Sequence, residues 1–239
     1  MNLTLQQTKA IKNHAVECYP EEMCGLIVRG DFIPMANLHK NPKENFTISE
    51  LDMFAYLGEI DAIVHSHCYD RAKPTMLDIR TPSVEDIIGQ KASGIPWFIV
   101  GTEGENLTEP VILPRESNNT YLGRPFIWFI NDCYTIIQDY YEFELGITLR
   151  EHRHDIDFKD IRKLDKLFKD DIIKYGFEAT TDISDMQNGD LLLLDNTLAT
   201  QSHLGIYHNG EIIHQDEVSV SVPFATFIGR IHKVLKYVG

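Results

Sequence analysis

The stretch Asp61-Ala62-Ile63-Val64-His65-Ser66-His67 constrains this chain more than any other. Three consecutive apolar residues ask for a buried strand, and that strand ends in two imidazoles. Alternate residues of a strand share a face. His65 and His67 therefore project side by side, while Ser66 turns away. Two imidazoles placed this way hold one Zn²⁺ at roughly 2.0–2.1 Å each, provided that a third ligand comes from elsewhere. A pair of exposed loop histidines is the plainer alternative.

The rest of the chain must supply the frame. Its 239 residues allow one large domain or two smaller ones. Helical spacing of Leu5, Ala10, Ile11, Ala15 and Val16 predicts a helix from Leu5 to Cys18, stopped by Pro20. Cys24 to Val28 reads as a strand, Arg29-Gly30-Asp31 as its turn, and Phe32 to Leu38 as the partner strand. A helix over Ile48–Ile60 precedes the histidine strand. Residues 68–82 form a polar loop, Val84–Ala92 a helix, and Trp97–Gly101 a strand. Leu113 to Thr120 is polar and contains proline, as a linker does. The pattern then restarts with helices over Asn131–Leu145 and Asp160–Tyr175. Short strands follow over Asp190–Leu194, His203–Tyr207, Glu211–His214, Val218–Val222 and Ile228–Leu235. The expectation is an α+β (mixed α/β) protein of two domains, residues 1–113 and 121–239, joined by residues 114–120.

The net charge is −14, with no basic run. Nucleic acid is therefore not an expected partner, because it needs a positive patch. No apolar run reaches the roughly 18–20 residues of a membrane span, so no membrane insertion is expected. No charged n-region with an apolar h-region opens the sequence, so no signal peptide is expected. Cys18, Cys24, Cys68 and Cys133 form no CxxC pair and are too few for a disulfide scaffold. Folding in a cytoplasm is the expectation.

A zinc peptidase needs a carboxylate that takes a proton from the metal-bound water and passes it to the leaving amine. Glu22, just before the first strand, is a candidate. In Pro82-Ser83-Val84-Glu85-Asp86, Thr81 can cap a helix and Pro82 suits its first position. Asp86 then lies about one turn in, with Ser83 on the same face and able to hydrogen-bond an oxyanion. Thr75-Met76-Leu77-Asp78 offers the same pattern nearer to His67. Together Glu22, His65-Ser66-His67 and Ser83-x-x-Asp86 resemble the JAMM (MPN) metalloprotease family over roughly residues 1–112. The resemblance implies one zinc ion held by His65, His67 and Asp86, with Glu22 as general base and Ser83 stabilising the transition state. The sequence departs from the family in Cys68, where proline is usual, and in a longer spacer over residues 68–82. Asp78 therefore stays open as an alternative ligand, and contact between Cys68 and the metal is a further alternative.

Asn131-Asp132-Cys133-Tyr134 opens the strongest helix of the second half. The positive end of a helix favours a thiolate, the nucleophilic form of cysteine. A buried small hydrophobe is the alternative. His203 heads a strand, and the hairpin signal Asn209-Gly210 brings His214 back beside it to orient the imidazole. Asp132-Cys133, Gly189-Asp190-Leu191-Leu192, His203-Leu204-Gly205-Ile206-Tyr207 and His214 resemble the NlpC/P60 family of papain-like cysteine peptidases over about residues 119–239. By that resemblance Cys133 is the nucleophile, His203 the acid/base, His214 the orienting residue, and Tyr121 lies near the oxyanion hole.

The two domains in this order resemble the K-type tail tip proteins of lambda-like tailed phages. That resemblance implies assembly in the host cytoplasm, a place at the virion tail tip, other tail tip proteins as partners, and host peptidoglycan as substrate. NlpC/P60 relatives cut its stem peptides. The competing expectation is a tail tip assembly factor whose two domains serve as protein-binding modules.

Overall fold

The computed structural model describes residues 2–69, 78–150, 172–195 and 202–239. The chain forms two compact units, residues 1–116 and 117–239.

In the first unit, α1 (Leu5–Cys18) starts at a capping box. Thr4 Oγ1 accepts the Gln7 N–H, and Gln7 reaches back to the Thr4 N–H. A five-stranded sheet follows: β1 (Cys24–Val28), β2 (Asp31–Met35), β3 (Ile60–Cys68), β4 (Trp97–Thr102) and β5 (Val111–Leu113), in the order β2-β1-β3-β4-β5. Only β3 and β4 run parallel; α3 (Val84–Ser93) connects them. Ile11 and Ala15 of α1 pack on Met23, Ile27, Ala62, Val64, Phe98 and Val100. Ala62 and Val64 therefore face α1, and strand alternation sends Ile63, His65 and His67 to the opposite face.

The helix expected over Ile48–Ile60 is shorter. α2 covers Glu50–Ala55, and Ile60 already belongs to β3. Gly58, at φ +81°, breaks the run, and no residue of α2 is buried to favour a longer helix. Leu113, expected at the start of the linker, pairs in β5 with Trp97.

In the second unit, α4 (Cys133–Tyr140) is followed by a π-turn over Tyr141–Leu145. The expected helix over Asn131–Leu145 therefore starts two residues later and changes its winding. Ile136, Ile137 and Tyr140 are buried, each contributing about 1.5–3 kcal/mol relative to exposure. The sheet comprises β6 (Phe177–Thr180), β7 (Leu191–Asp195), β8 (Ser202–His208), β9 (Glu211–Gln215), β10 (Ser219–Pro223) and β11 (Ile231–Tyr237). Its order is β10-β9-β8-β7-β11-β6, and every pairing is antiparallel. β6 was not expected from the sequence. The expected helix over Asp160–Tyr175 lies largely outside the described residues; Ile172–Tyr175 is a 3₁₀ turn. The expected strand from Ile228 begins instead as a 3₁₀ turn, Ile228–Arg230. A buried ion pair between Arg124 and Asp139 ties the segment before α4 to the helix. Breaking such a pair costs about 3–5 kcal/mol.

Among the described residues no helix is long and apolar enough to cross a membrane.

Candidate functional site

The first unit brings two histidines and an aspartate to one point. His65 Nε2 is 3.2 Å from His67 Nε2. Asp86 Oδ1 is 3.1 Å from His65 Nε2, and Asp86 Oδ2 is 3.2 Å from His67 Nε2. Tetrahedral ligands at roughly 2.0–2.1 Å from zinc lie about 3.3–3.4 Å apart, so this triangle has the size of one face of such a site. His67 Nδ1 donates to the Ile79 carbonyl at 2.8 Å, which leaves Nε2 with a free lone pair, the tautomer a metal requires. His65 is fully buried and stacks on Phe46, with centroids 4.5 Å apart, and Trp97 meets both rings, at 5.7 Å from His65 and 5.3 Å from Phe46. Its Nδ1 has no hydrogen-bond partner among the described residues. On the Nδ1 side, aromatic packing takes the place of a hydrogen bond in orienting this ring.

Asp86 reaches the histidines because of how α3 starts. Ser83 is the N-cap, its Oγ accepting the Asp86 N–H at 3.0 Å, and Asp86 Oδ2 accepts the Ser83 N–H at 2.7 Å. This differs from the expected start, with Thr81 as cap and Pro82 as first helical residue. Ser83 lies outside the helix, and Asp86 occupies its third position. Burial pushes the Asp86 carboxyl up, but His65 and His67 outweigh it and hold it well below the usual carboxylate range. Asp86 is thus a carboxylate facing two imidazoles.

Asp78 is not part of this cluster. Its carboxylate takes the Arg80 N–H and Nε at 2.9 and 2.8 Å, and Nη2 at 2.7 Å. Cys68 is not part of it either: its thiol points at the Glu21 carbonyl, 3.3 Å away. Thr75 lies outside the described residues.

Glu22 approaches from β1. Cys24 pairs with His65, and carrying that register back two residues sets Glu22 opposite His67. Glu22 is 5% exposed. Burial pushes its carboxyl up to about 7, with His67 acting against this and Asp86 adding to it. A carboxyl near 7 both takes and gives protons at neutral pH. The sequence reading did not reveal Phe46, the Ile79 carbonyl or Gly101. Gly101 alone left a trace, as a glycine inside a strand. It pairs with His67, and a Cβ there would meet Ile79 Cγ2 at 2.2 Å.

The second unit assembles its residues less completely. His203 Nε2 lies 3.1 Å from His214 Nδ1. His214 pairs with Gly205 across the β8–β9 hairpin, so His203, Gly205 and His214 share a face. Burial pushes the His203 imidazole down to about 4; His214 and Arg230 act the same way and Asp216 against them. Burial also lowers His214, with Asp216 opposing and Arg230 assisting. Cys133 is buried at the first turn of α4, behind the N-cap Asp132, whose carboxylate accepts the Tyr134 and Thr135 N–H groups at 3.0 and 2.9 Å. The helix end was expected to lower this thiol. Burial, and then the Asp132 charge, push it up instead, while backbone hydrogen bonds from Leu204, Cys133 and Tyr134 act against them. The N-cap carboxylate shares the Tyr134 donor, takes the Thr135 donor, and puts a negative charge where the helix end offered a positive one. The Leu204 backbone places the sulfur at the head of β8, but among the described residues no hydrogen bond joins Cys133 to His203.

Tyr121 does not lie near the nucleophile. Its hydroxyl donates to Glu144 Oε1 at 3.0 Å, in the π-turn beyond the far end of α4, roughly three helical turns from Cys133. Its ring packs on Tyr140. The carboxylate fixes this phenol away from the thiol, so Tyr121 is withdrawn as an oxyanion-hole residue.

The chain is similar to the "Tail tip assembly protein K" of Escherichia phage N15, with 29% identity over 95% of this chain and 93% of the relative. A solution structure of a Desulfitobacterium hafniense protein is similar over 46% of this chain and 82% of its own, at 21% identity and a TM-score of 0.34. Residues 123–232, within the second unit, match the sequence model of the NlpC/P60 family.

Proposed function

We propose that the second unit is a cysteine peptidase that cuts stem peptides of peptidoglycan at a phage tail tip. The His203–His214 contact at 3.1 Å, inside the segment that matches the family, carries this reading. A buried thiol pushed up and an imidazole pushed down rest as a neutral pair. Attack then moves the proton as the bond forms: Cys133 Sγ adds to the peptide carbonyl while His203 takes its proton. His203 returns that proton to the amine as the C–N bond breaks, leaving a thioester for water to hydrolyse. His214 holds the His203 ring in position. The Cys133–His203 contact closes on substrate, as catalytic hydrogen bonds often tighten only in the complex.

The first unit, on this proposal, is a zinc-dependent peptidase or isopeptidase of the JAMM kind. His65, His67 and Asp86 would hold the ion; their triangle and the His67 tautomer support that fit. Bound there, zinc would activate a water and polarise a carbonyl. Glu22 exchanges the proton, and the Ser83 hydroxyl donates to the developing oxyanion.

The test is muropeptide analysis of Gram-negative sacculi incubated with the full chain. New peptide termini that appear with wild type, persist in chelator and vanish in Cys133→Ala support the wall-peptidase reading. No new termini would favour the second reading, an assembly factor, whose support is the name of the phage N15 relative.

A further inference from the structure

Phe46, the ring that stacks on His65, lies in the connection between β2 and α2, which has no helix or strand of its own. One side chain grips that connection. Asn37 Nδ2 donates to the Asn45 carbonyl at 3.0 Å, and Asn37 Oδ1 accepts the Thr47 N–H at 3.2 Å. Asn45 and Thr47 flank Phe46, so a single carboxamide holds the backbone before and after the ring. The Leu38 N–H donates to the Thr47 carbonyl at 2.9 Å beside it.

The same carboxamide reaches the proton-exchanging residue. Asn37 Nδ2 donates to the Glu22 carbonyl at 2.9 Å, with the Pro42 carbonyl a weaker contact at 3.4 Å. The Glu22 N–H in turn donates to the Pro42 carbonyl at 2.7 Å. Asn37 Oδ1 also accepts the His39 N–H at 3.0 Å. All partners of Nδ2 are carbonyls and both partners of Oδ1 are N–H groups, which fixes the orientation of the amide.

The two metal-facing histidines differ in what orients them. A ligand histidine ordinarily donates its second ring N–H to an acceptor that sets the ring. His67 does so through the Ile79 carbonyl. His65 does not, because its buried Nδ1 has no hydrogen-bond partner among the described residues. Its ring rests on Phe46 and Trp97. Trp97 is set by β4, where it pairs with Ile63 and Leu113, and its Nε1 donates to Ser93 Oγ at 3.1 Å. Phe46 is set by the connection that Asn37 grips.

We propose that Asn37 is a positioning residue of the first site. It holds Phe46 against His65, and so keeps His65 Nε2 in the triangle with His67 and Asp86, with the Glu22 backbone tied to the same side chain. The inference rests on the zinc reading of the first unit and gives His65 the orienting support that His67 draws from Ile79.

The experiment uses the full chain as wild type, Asn37→Asp, Phe46→Leu and the double variant. Asn37→Asp keeps the shape and both bonds to Oδ1 but turns the three carbonyl contacts repulsive. Zn²⁺ affinity is measured by competition with a chromophoric chelator. Asn37→Asp and Phe46→Leu should each weaken it about tenfold, the scale of losing an orienting partner behind a ligand histidine. The double variant should bind as Phe46→Leu alone does, because Asn37 acts through that ring. A clamp that only stabilises the fold would lower the unfolding temperature and leave zinc affinity unchanged. A second readout needs no metal: in zinc-free protein the His65 ring-proton resonances, which sense the ring current of Phe46, should move in Asn37→Asp as they do in Phe46→Leu. Unchanged zinc affinity in Asn37→Asp, additive losses in the double variant, or unmoved His65 resonances overturn the proposal. Asn37→Ser, which deletes the donors without adding charge, takes the place of Asn37→Asp if that variant does not fold. Wild type that binds no zinc while the His65 resonances still move refutes the zinc reading alone.

Discussion

His203 Nε2 and His214 Nδ1 lie 3.1 Å apart on one face of the β8–β9 hairpin, so that a single proton serves the contact between them. Both imidazoles are held neutral by burial, which gives folding a definite pH dependence. His203 has a folded value of about 4, against about 6.5 unfolded. The unfolded chain therefore binds more protons as pH falls. Stability from this group is fully present above about 6.5 and is lost between there and about 4. Urea denaturation of the second unit should lose roughly 1–3 kcal/mol over that window. His203→Gln should flatten the loss; an equal acid loss in the variant would remove His203 as the cause.

The Cys133 thiol is pushed up in the free protein. Its alkylation by iodoacetamide should therefore rise about tenfold per pH unit from pH 6 to 9, without a plateau near neutrality. Peptide mapping of the labelled protein measures this. A pH-independent rate below pH 7 would show a preformed thiolate instead.

Zinc affinity should separate Asp86 from Asp78. His65→Ala, His67→Ala and Asp86→Ala should each lower zinc occupancy at least tenfold, because each removes one of three convergent atoms. Asp78→Ala should not change it, since that carboxylate is taken up by Arg80. Elemental analysis of the purified variants decides, and the opposite order would exchange the two roles.

Gly101→Ala tests the support behind His67. The new Cβ would meet Ile79 Cγ2 at 2.2 Å, and the Ile79 carbonyl is the acceptor for His67 Nδ1. Overpacking of this kind costs about 1–3 kcal/mol, and loss of such a hydrogen bond to a ligand histidine lowers metal affinity about 10–100-fold. Thermal unfolding with and without zinc should show both effects.

Tyr121→Phe should leave peptidase turnover within about twofold of wild type, because the hydroxyl it removes binds Glu144 and not the reacting atoms. A loss of tenfold or more in kcat would return Tyr121 to the site.

Local chemistry determined much of this protein in advance. Periodicity set α1 from Leu5 to Cys18, since Thr4 and Pro20 punctuate it. The alternation in Val64-His65-Ser66-His67 separated the histidines from Ser66, whose Oγ accepts the Met23 N–H at 2.9 Å on the opposite face. Asn209-Gly210 set the hairpin that returns His214 to His203, because these residues accept the positive φ such a turn needs. Tertiary structure decided the rest. Ser83-x-x-Asp86 and Thr75-x-x-Asp78 are equivalent as strings, and only the fold shows Arg80 occupying Asp78 while the first turn of α3 aims Asp86 at the imidazoles. The Cys133 thiol is governed by burial and the Asp132 charge, two environmental effects that outweigh the end of the helix. Phe46 on His65 and Asn37 on the Glu22 carbonyl join residues brought together by strand register and loop path. Periodicity describes which way a side chain points along its own element; what it meets there depends on the packing of elements far apart in the chain.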